Sequence, residues 1–204
     1  MIEAGEGPGA RALSMTDYFQ VFGLPRRLGV DAEALQRRFY ELSRRYHPDF
    51  HGSAAPEDQA RVLETSARLN AAYRVLRDPM ARIEYLVQLE DGRETGEGGA
   101  AQPAAPPELL GEMFEIQEAL AEARAGQLDA AARRALREQR ERLIARRRDE
   151  DVRLSGPLTA AWDTAVPDER PALLEQLKRG LAVRAYLKTV IDDLGEALRE
   201  AEAV

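Results

Sequence analysis

The amino-acid sequence predicts an all-α protein with two helical domains. Its clearest apolar stripe, Leu35, Phe39, Leu42 and Tyr46, has spacings of four, three and four positions, which place the side chains on one face of a helix. Glycine and proline separate the stripes, and no segment alternates apolar and polar residues as a strand does. The 204 residues, 44% hydrophobic and 32% charged, are typical of a globular protein large enough for two small cores.

Short, sharply bounded helices are expected in the first domain, residues 15–90. Asp31 is a good N-cap for the helix that carries the stripe, and that helix must end before Pro48. Pro56 is placed to occupy the first turn of the next helix, which is predicted to face the previous one across the loop. Pro79 restarts the chain as a shorter helix, whose apolar residues can close the small core: Ile83, Leu86, Val87 and Leu89.

The rest of the chain divides into an extension, a linker and a second helical domain. Residues 1–14 are expected to be a disordered extension, and residues 91–107, rich in glycine, proline and alanine, a linker. The second domain, residues 108–204, is predicted to be a helical hairpin or three-helix bundle, with helices at about 108–125, 128–153 and 168–202. The triplet Ser155-Gly156-Pro157 should break or kink the chain between the last two helices.

Composition excludes several classes of site. The chain has no cysteine, which rules out disulfides, thiolate metal sites and a cysteine nucleophile. No apolar run approaches the roughly 18 residues of a membrane span, and the first residues lack the pattern of a secretory signal, so a cytoplasmic location is expected. The net charge of −7 disfavours general nucleic-acid binding. The locally basic run Arg133 to Arg148 leaves an RNA-binding alternative open, although such runs are usually solvated helix faces.

The stretch RRYHPDFHG, residues 44–52, contains the most informative motif. His47, Asp49 and His51 could supply three ligands for a metal-dependent hydrolase, but no fourth ligand is evident nearby. A hydrolase triad would need a nucleophile beside His47, and the surrounding sequence supplies none. A third interpretation is that the histidine, proline and aspartate only shape the turn at the helix end. Taken alone, the three residues favour this third interpretation over a metal site or a hydrolase.

The surroundings of this motif resemble a known family. The first predicted helix leads into YHPD, residues 46–49, and the second carries NAAYRVLRDP at residues 70–79. This arrangement is similar to the J-domain, the module that stimulates ATP hydrolysis by DnaK-type chaperones. The segments DYFQVFGLP, residues 17–25, and RIEYL, residues 82–86, resemble more specifically the HscB type, the co-chaperone of iron–sulfur cluster assembly. The resemblance is specific over the first domain and looser over the second.

The resemblance implies that His47, Pro48 and Asp49 contact the chaperone's nucleotide domain and its interdomain linker. Four arginines nearby would direct positive charge toward an acidic chaperone surface: Arg37, Arg38, Arg44 and Arg45. Because single exposed ion pairs contribute only about 0 to 1 kcal/mol, we assign these arginines to orientation and encounter rate rather than to affinity. The chain itself would carry no catalytic residue, metal or cofactor.

The same resemblance implies a client-binding surface in the helix that begins near Glu108. Leu110 and Phe114 widen the apolar face of this helix beyond a single seam, and Glu115 and Glu118 border them. These four residues would hold the scaffold protein on which iron–sulfur clusters are built, a protein of the IscU type. The alternative is that Leu110 and Phe114 are simply core residues.

One departure from the general J-domain pattern concerns the identity of the chaperone. Tyr40 and Glu41 occupy the middle of the helix, where general J-domains carry several basic residues, and Phe50 stands where many have a basic residue. This departure favours a dedicated partner of the HscA kind. A J-protein that serves DnaK in general folding is the alternative within the same family.

Overall fold

A computed structural model describes the chain over residues 17–51, 55–92 and 129–202, together with the single positions 116, 118 and 121. These parts of the chain are almost entirely helical and contain no strand, so the predicted all-α class is confirmed. None of their helices combines the length and the low polarity that crossing a bilayer requires. The chain divides into two compact units, Met1–Gln88 and Leu89–Val204. The predicted extension lies outside the described residues, as does the predicted linker beyond Gly92, and both stay predictions.

The described part of the first unit contains short helices with the punctuation that the sequence predicts. The elements are α1 Tyr18–Val21, α2 Ala32–Arg45, a 3₁₀ turn Pro48–His51, α3 Pro56–Arg77 and α4 Pro79–Glu90. The side chain of Asp31 caps α2 by accepting the backbone N–H groups of Glu33 and Ala34. Pro56 lies in the first turn of α3, where its missing N–H costs nothing. These local signals fix where α2 and α3 begin.

Helices α2 and α3 pack against each other, as predicted. The rings of Phe39 and Tyr73 stack with centroids 4.0 Å apart and planes 11° apart. The core beneath this stack consists of side chains with 3% exposure or less: Leu35, Leu69, Leu76, Ile83 and Leu86. The two helices of the hairpin are thus joined by a buried apolar core and an aromatic stack.

Helix α4 is tied to the start of the domain by Tyr85. The backbone N–H of Tyr18 donates to the Tyr85 hydroxyl at 2.8 Å, and the two rings stack with centroids 4.4 Å apart. Burial raises the pKa of the Tyr85 phenol, which keeps it in its neutral form. Asp17 caps α1 through a hydrogen bond from the Gln20 N–H and pairs with Arg26 at 2.7 Å. The Tyr18–Tyr85 contacts thus join α1 to α4, while Asp17 holds the start of α1.

The second unit is built on two long helices. Its described elements are α5 Ala130–Arg153, a π turn Leu154–Leu158, α6 Thr159–Thr164, a 3₁₀ turn Pro167–Glu169 and α7 Arg170–Glu202. Helices α5 and α7 pack around buried apolar residues: Ile116, Leu136, Leu143, Leu187, Val190, Ile191, Leu194, Ala197 and Leu198. The described positions of the predicted helix at 108–125 are helical, and Ile116 among them is 2% exposed. The rest of that helix lies outside the described residues.

Helical winding continues through Ser155-Gly156-Pro157, where a break or kink was expected. The backbone is right-handed helical on both sides, at Arg153 and at Thr159. Because Pro157 cannot donate the N–H that an α-helix requires, the π turn accommodates it by changing the bonding pattern. The Thr159 hydroxyl also donates to the Leu154 carbonyl oxygen at 2.9 Å. The described chain instead leaves the helical path after Thr164.

Gly180 of α7 lies where α5 comes close, and its replacement should destabilise the second unit. An added Cβ would come within 2.6 Å of Glu150 Oε1 and 2.7 Å of Leu154 Cδ2. Leu154 is fully buried, and Glu150 is held by Arg153 at 2.6 Å, so neither can move freely. Overpacking a core costs about 1 to 3 kcal/mol of stability. Replacing glycine by alanine in a helix stabilises the helix by about 1 kcal/mol, which offsets part of that cost. We expect Gly180→Ala to lower the free energy of unfolding in urea by about 1 kcal/mol.

Gly156→Ala is the matched control for this prediction. Gly156 also lies in helical backbone, but an added Cβ there meets no heavy atom within 4 Å. We therefore expect no loss of stability, and a gain of up to about 1 kcal/mol from the lower entropy of the unfolded chain. Equal stability changes in the two variants would contradict the close approach of α5 to Gly180.

Candidate functional site

The loop between α2 and α3 begins where Pro48 ends the helix. The Tyr46 N–H donates to the Leu42 carbonyl oxygen at 2.9 Å, which closes the last turn of α2. The proline ring disfavours helical backbone at the preceding residue, His47, and proline itself offers no N–H. The chain then forms a 3₁₀ turn in which the Phe50 N–H donates to the His47 carbonyl oxygen at 3.1 Å. His47 and Asp49 are thus carried on a tight turn next to the hairpin.

The side chains of His47 and Asp49 are near each other and exposed. His47 Nδ1 accepts the Asp49 N–H at 3.3 Å and lies 3.5 Å from Asp49 Oδ2. The imidazole is 51% exposed and the carboxylate 84% exposed. Such an exposed pair contributes at most about 1 kcal/mol to stability. The ion pair therefore adds little to stability, and its exposed polar groups are open to a partner.

A shallow groove connects this turn to α2. Its lining combines basic, aromatic and small polar side chains: Arg37, Tyr40, Glu41, Ser43, Arg44, His47 and Phe50. Two of the four predicted arginines, Arg37 and Arg44, therefore share a surface with His47. Arg38 pairs with Glu41 at 3.1 Å and lines a separate, more apolar hollow. The Arg45 guanidinium lies 5.6 Å from the centroid of the Tyr46 ring. The structure thus brings together half of the predicted arginine set.

Tyr40 and Phe50 are the two aromatic residues of the groove lining, and neither belongs to the predicted site. Tyr40 is 62% exposed and Phe50 is 70% exposed. The Phe50 ring meets the His47 ring edge-on with centroids 5.9 Å apart. Exposed aromatic side chains beside arginine are typical of protein–protein contacts. Two features of the sequence indicate that both rings are exposed. Tyr40 lies off the apolar stripe of α2, and Phe50 lies in a loop.

The metal-site alternative gains no ligand set from the geometry. Within the part of the chain that the structure describes, no three side chains of the metal-binding types converge. His47 and Asp49 approach each other, whereas the side chain of His51 lies outside the described residues. The predicted ligand set of His47, Asp49 and His51 is therefore described only for its first two members.

The predicted client residues are only partly described. Leu110, Phe114 and Glu115 lie outside the described residues. Glu118 is helical and exposed, whereas Ile116, two positions earlier, is buried in the core of the second unit. Helical positions two apart point to nearly opposite sides. Glu118 thus lies on the side of its helix away from that core.

Comparisons with known proteins agree with this geometry. Residues 17–85 match the DnaJ domain family. The co-chaperone protein HscB homolog of Azoarcus sp. (strain BH72) is 34% identical over 185 residues, covering 89% of this chain and 95% of that protein. The chaperone HscB from Vibrio cholerae is 26% identical with a TM-score of 0.52, covering 88% of this chain and 99% of that one.

The human co-chaperone protein HscB adds evidence on the fold alone. It is 23% identical with a TM-score of 0.53, covering 86% of this chain and 82% of that one. The similarity to these proteins spans most of the sequence and therefore includes both the J-domain and the helices that follow it. On this evidence the chain belongs to the HscB family of co-chaperones and carries a DnaJ domain at residues 17–85.

Proposed function

We propose that the chain stimulates ATP hydrolysis by an HscA- or DnaK-type chaperone and delivers an IscU-type iron–sulfur scaffold protein to it. The observation that carries this proposal is the exposed His47–Pro48–Asp49 turn at the end of a packed helical hairpin in a DnaJ domain. The similarity to an HscB homolog over 89% of the chain favours this role over the hydrolase alternative. The chain would act in the cytoplasm as an activator and not as an enzyme.

The turn can activate a partner without performing chemistry. A ligand shifts a conformational equilibrium only by its difference in affinity for the two states. We propose that His47 and Asp49 bind the hydrolysis-competent state of the chaperone more tightly than the resting state. On binding, the 84% exposed Asp49 carboxylate would exchange water for donors on the chaperone. Hydrogen bonds to a charged group are about twice as strong as neutral ones, which suits a single carboxylate to this task.

The arginines near the turn would guide the encounter. Arg37 and Arg44 line the same groove as His47 and are proposed to face an acidic surface of the chaperone. Arg38 and Arg45 do not line that groove. They are proposed to attract the chaperone mainly through long-range electrostatic interaction with its acidic surface. Surface charges of this kind change association rates more than affinities. Added salt should accordingly slow association while leaving the dissociation rate nearly constant.

The client would bind to the second unit. In the predicted helix at 108–125, spacings of four place Leu110, Phe114 and Glu118 on one face. Glu118 is exposed and Ile116 is buried, so that face is proposed to be the open one, with Glu115 at its border. Because one chain holds both chaperone and scaffold, each would raise the effective concentration of the other.

A DnaK-serving J-protein is the second candidate within the family, and an ATPase assay separates the two. Tyr40 and Phe50, large and exposed beside His47, favour a dedicated HscA-type partner over a general one. We expect the chain to stimulate the steady-state ATPase of an HscA-type chaperone and of DnaK to different extents. The concentration of the chain needed for half-maximal stimulation should be lower for the HscA-type chaperone. Preferential stimulation of DnaK would support the general role instead.

Phe50→Ala should weaken the contact with the chaperone. Aromatic side chains at the centre of an interface contribute about 2 kcal/mol or more, so the half-maximal concentration for ATPase stimulation should rise roughly 30-fold. Leu63→Ala is the matched control, since Leu63 is 57% exposed on α3 but does not line the groove. The control should stimulate like the unmodified chain. Equal behaviour of the two variants would remove Phe50 from the proposed interface.

A further inference from the structure

The second unit contains a concave pocket lined by arginines, and none of its described lining residues belongs to the proposed chaperone or client residues. It has a volume of about 480 Å³. Its lining comes from two facing helices: Arg137, Arg140 and Glu141 from α5, and Gly195, Leu198 and Arg199 from α7. Each set follows the i, i+3, i+4 spacing of a single helix face. The pocket is therefore a product of the α5–α7 packing that forms the core of the unit.

Arg140 is held in place at this pocket by the backbone of α7. Its Nε donates to the Ile191 carbonyl oxygen at 3.3 Å. Its guanidinium lies against Gly195, where an added Cβ would be 3.3 Å from Nε and 3.7 Å from Cζ. The side chain is 35% exposed, so its outer edge still faces solvent. A guanidinium fixed in this way loses little entropy when it binds a ligand.

The described residues of the pocket lining offer mainly guanidinium groups. They are Arg137, Arg140 and Arg199, beside one carboxylate, that of Glu141, which lies 3.9 Å from Arg140 Nη1. Because guanidinium groups are hydrogen-bond donors with a fixed positive charge, this part of the lining suits an anionic ligand.

Arg140 also lies near the carboxylate of Asp192 on α7. The pKa of Asp192 on α7 lies below its ordinary value, chiefly because Lys188 donates a hydrogen bond to it. The positive charges of Lys188, Arg147 and Arg140 lower it further. Arg140 thus already stabilises negative charge on the side of α7 next to the pocket.

We propose that this pocket binds the phosphate group of a small phosphate monoester. A phosphate monoester carries a charge of about −1.5 to −2 at neutral pH and three acceptor oxygens. Guanidinium groups bind such oxygens through paired N–H donors. A carboxylate offers a single charge and two oxygens, and therefore matches three arginines less well. Arg140 would form the fixed contact, with Arg137 and Arg199 closing on either side.

Calorimetric titration of the full chain with inorganic phosphate, at constant ionic strength, tests the proposal. We expect saturable binding that weakens at least tenfold in Arg140→Gln and in Arg199→Gln, with weaker binding of acetate. Gly195→Ala should also weaken binding, since its Cβ would displace the Arg140 guanidinium. Arg134→Gln is the matched control, because Arg134 is an exposed arginine of α5 that does not line the pocket. This control should bind phosphate normally.

The source of the phosphate group can be determined with two further probes. Glycerol 3-phosphate carries the monoester in solution, and phosphatidylcholine vesicles containing phosphatidic acid carry it on a membrane surface. Binding of either that Arg140→Gln abolishes supports the pocket and identifies the source. Absence of saturable phosphate binding would overturn the proposal. So would equal losses in Arg134→Gln and Arg140→Gln, the result expected if the general field of α5 attracts any polyanion, RNA included.

Discussion

Replacing Asp49 by asparagine is expected to abolish ATPase stimulation while leaving the fold unchanged. The substitution keeps the size of the side chain and removes its charge, and the 84% exposed carboxylate fills no cavity. Losing a hydrogen bond to a charged group costs about 1.5 to 3 kcal/mol, which corresponds to roughly 10- to 150-fold in affinity for the activated chaperone. Steady-state ATPase assays and thermal melts of the same preparation measure the two effects.

Asp58→Asn controls for the change of charge. Asp58 lies in the first turn of α3, is 58% exposed and pairs with Arg61 at 3.4 Å. Because Asp58 does not line the groove, this variant should stimulate the chaperone normally. Full stimulation by Asp49→Asn would refute the role of the turn in activation. A lowered melting temperature in Asp49→Asn would favour the interpretation that His47 and Asp49 only shape the turn.

Joint replacement of Leu110 and Phe114 by alanine should weaken scaffold binding and spare basal stimulation of the chaperone. Exposed apolar anchors contribute about 2 kcal/mol or more to binding, so the dissociation constant should rise roughly 30-fold or more. If both side chains were core, the pair would instead cost about 5 to 10 kcal/mol of stability, enough to unfold a marginal domain. Calorimetric titration with the scaffold, beside a thermal melt, distinguishes these outcomes.

Ile116→Ala is a control within the same predicted helix. Ile116 is 2% exposed and belongs to the core of the second unit. Its truncation should cost about 2 to 5 kcal/mol of stability. Replacement of Leu110 and Phe114, by contrast, is expected to lower scaffold affinity with little change in stability. Normal scaffold affinity in a folded Leu110→Ala, Phe114→Ala chain would exclude this face as the client surface.

The features that the sequence predicts well are those set by local chemistry. Asp31, Pro56 and Pro79 mark helix starts because capping and the missing proline N–H act within one turn of backbone. Helices α2, α3 and α4 accordingly begin at Ala32, Pro56 and Pro79. The His47–Asp49 turn is predictable for the same reason, since Pro48 stops α2 wherever the helix packs.

Features that depend on packing between distant residues were beyond the sequence. The periodicity of α2 places Arg37 and Arg44 on its surface, but their grouping with Phe50 requires the 3₁₀ turn. Pro157 predicts an interruption, and only the structure reveals a π turn that carries the helix past it. The role of Gly180 depends on Leu154, whose side chain reaches it through the packing of α5 on α7.

The steady-state ATPase rate of a matched HscA-type chaperone, measured with this chain in the presence and absence of the scaffold, tests the central claim most directly. The proposed function predicts that the chain alone increases the rate through its His47–Asp49 turn. It also predicts a further increase when the scaffold is added, because one chain then brings both partners together. An unchanged rate under both conditions, from a chain whose thermal melt is cooperative, would contradict it.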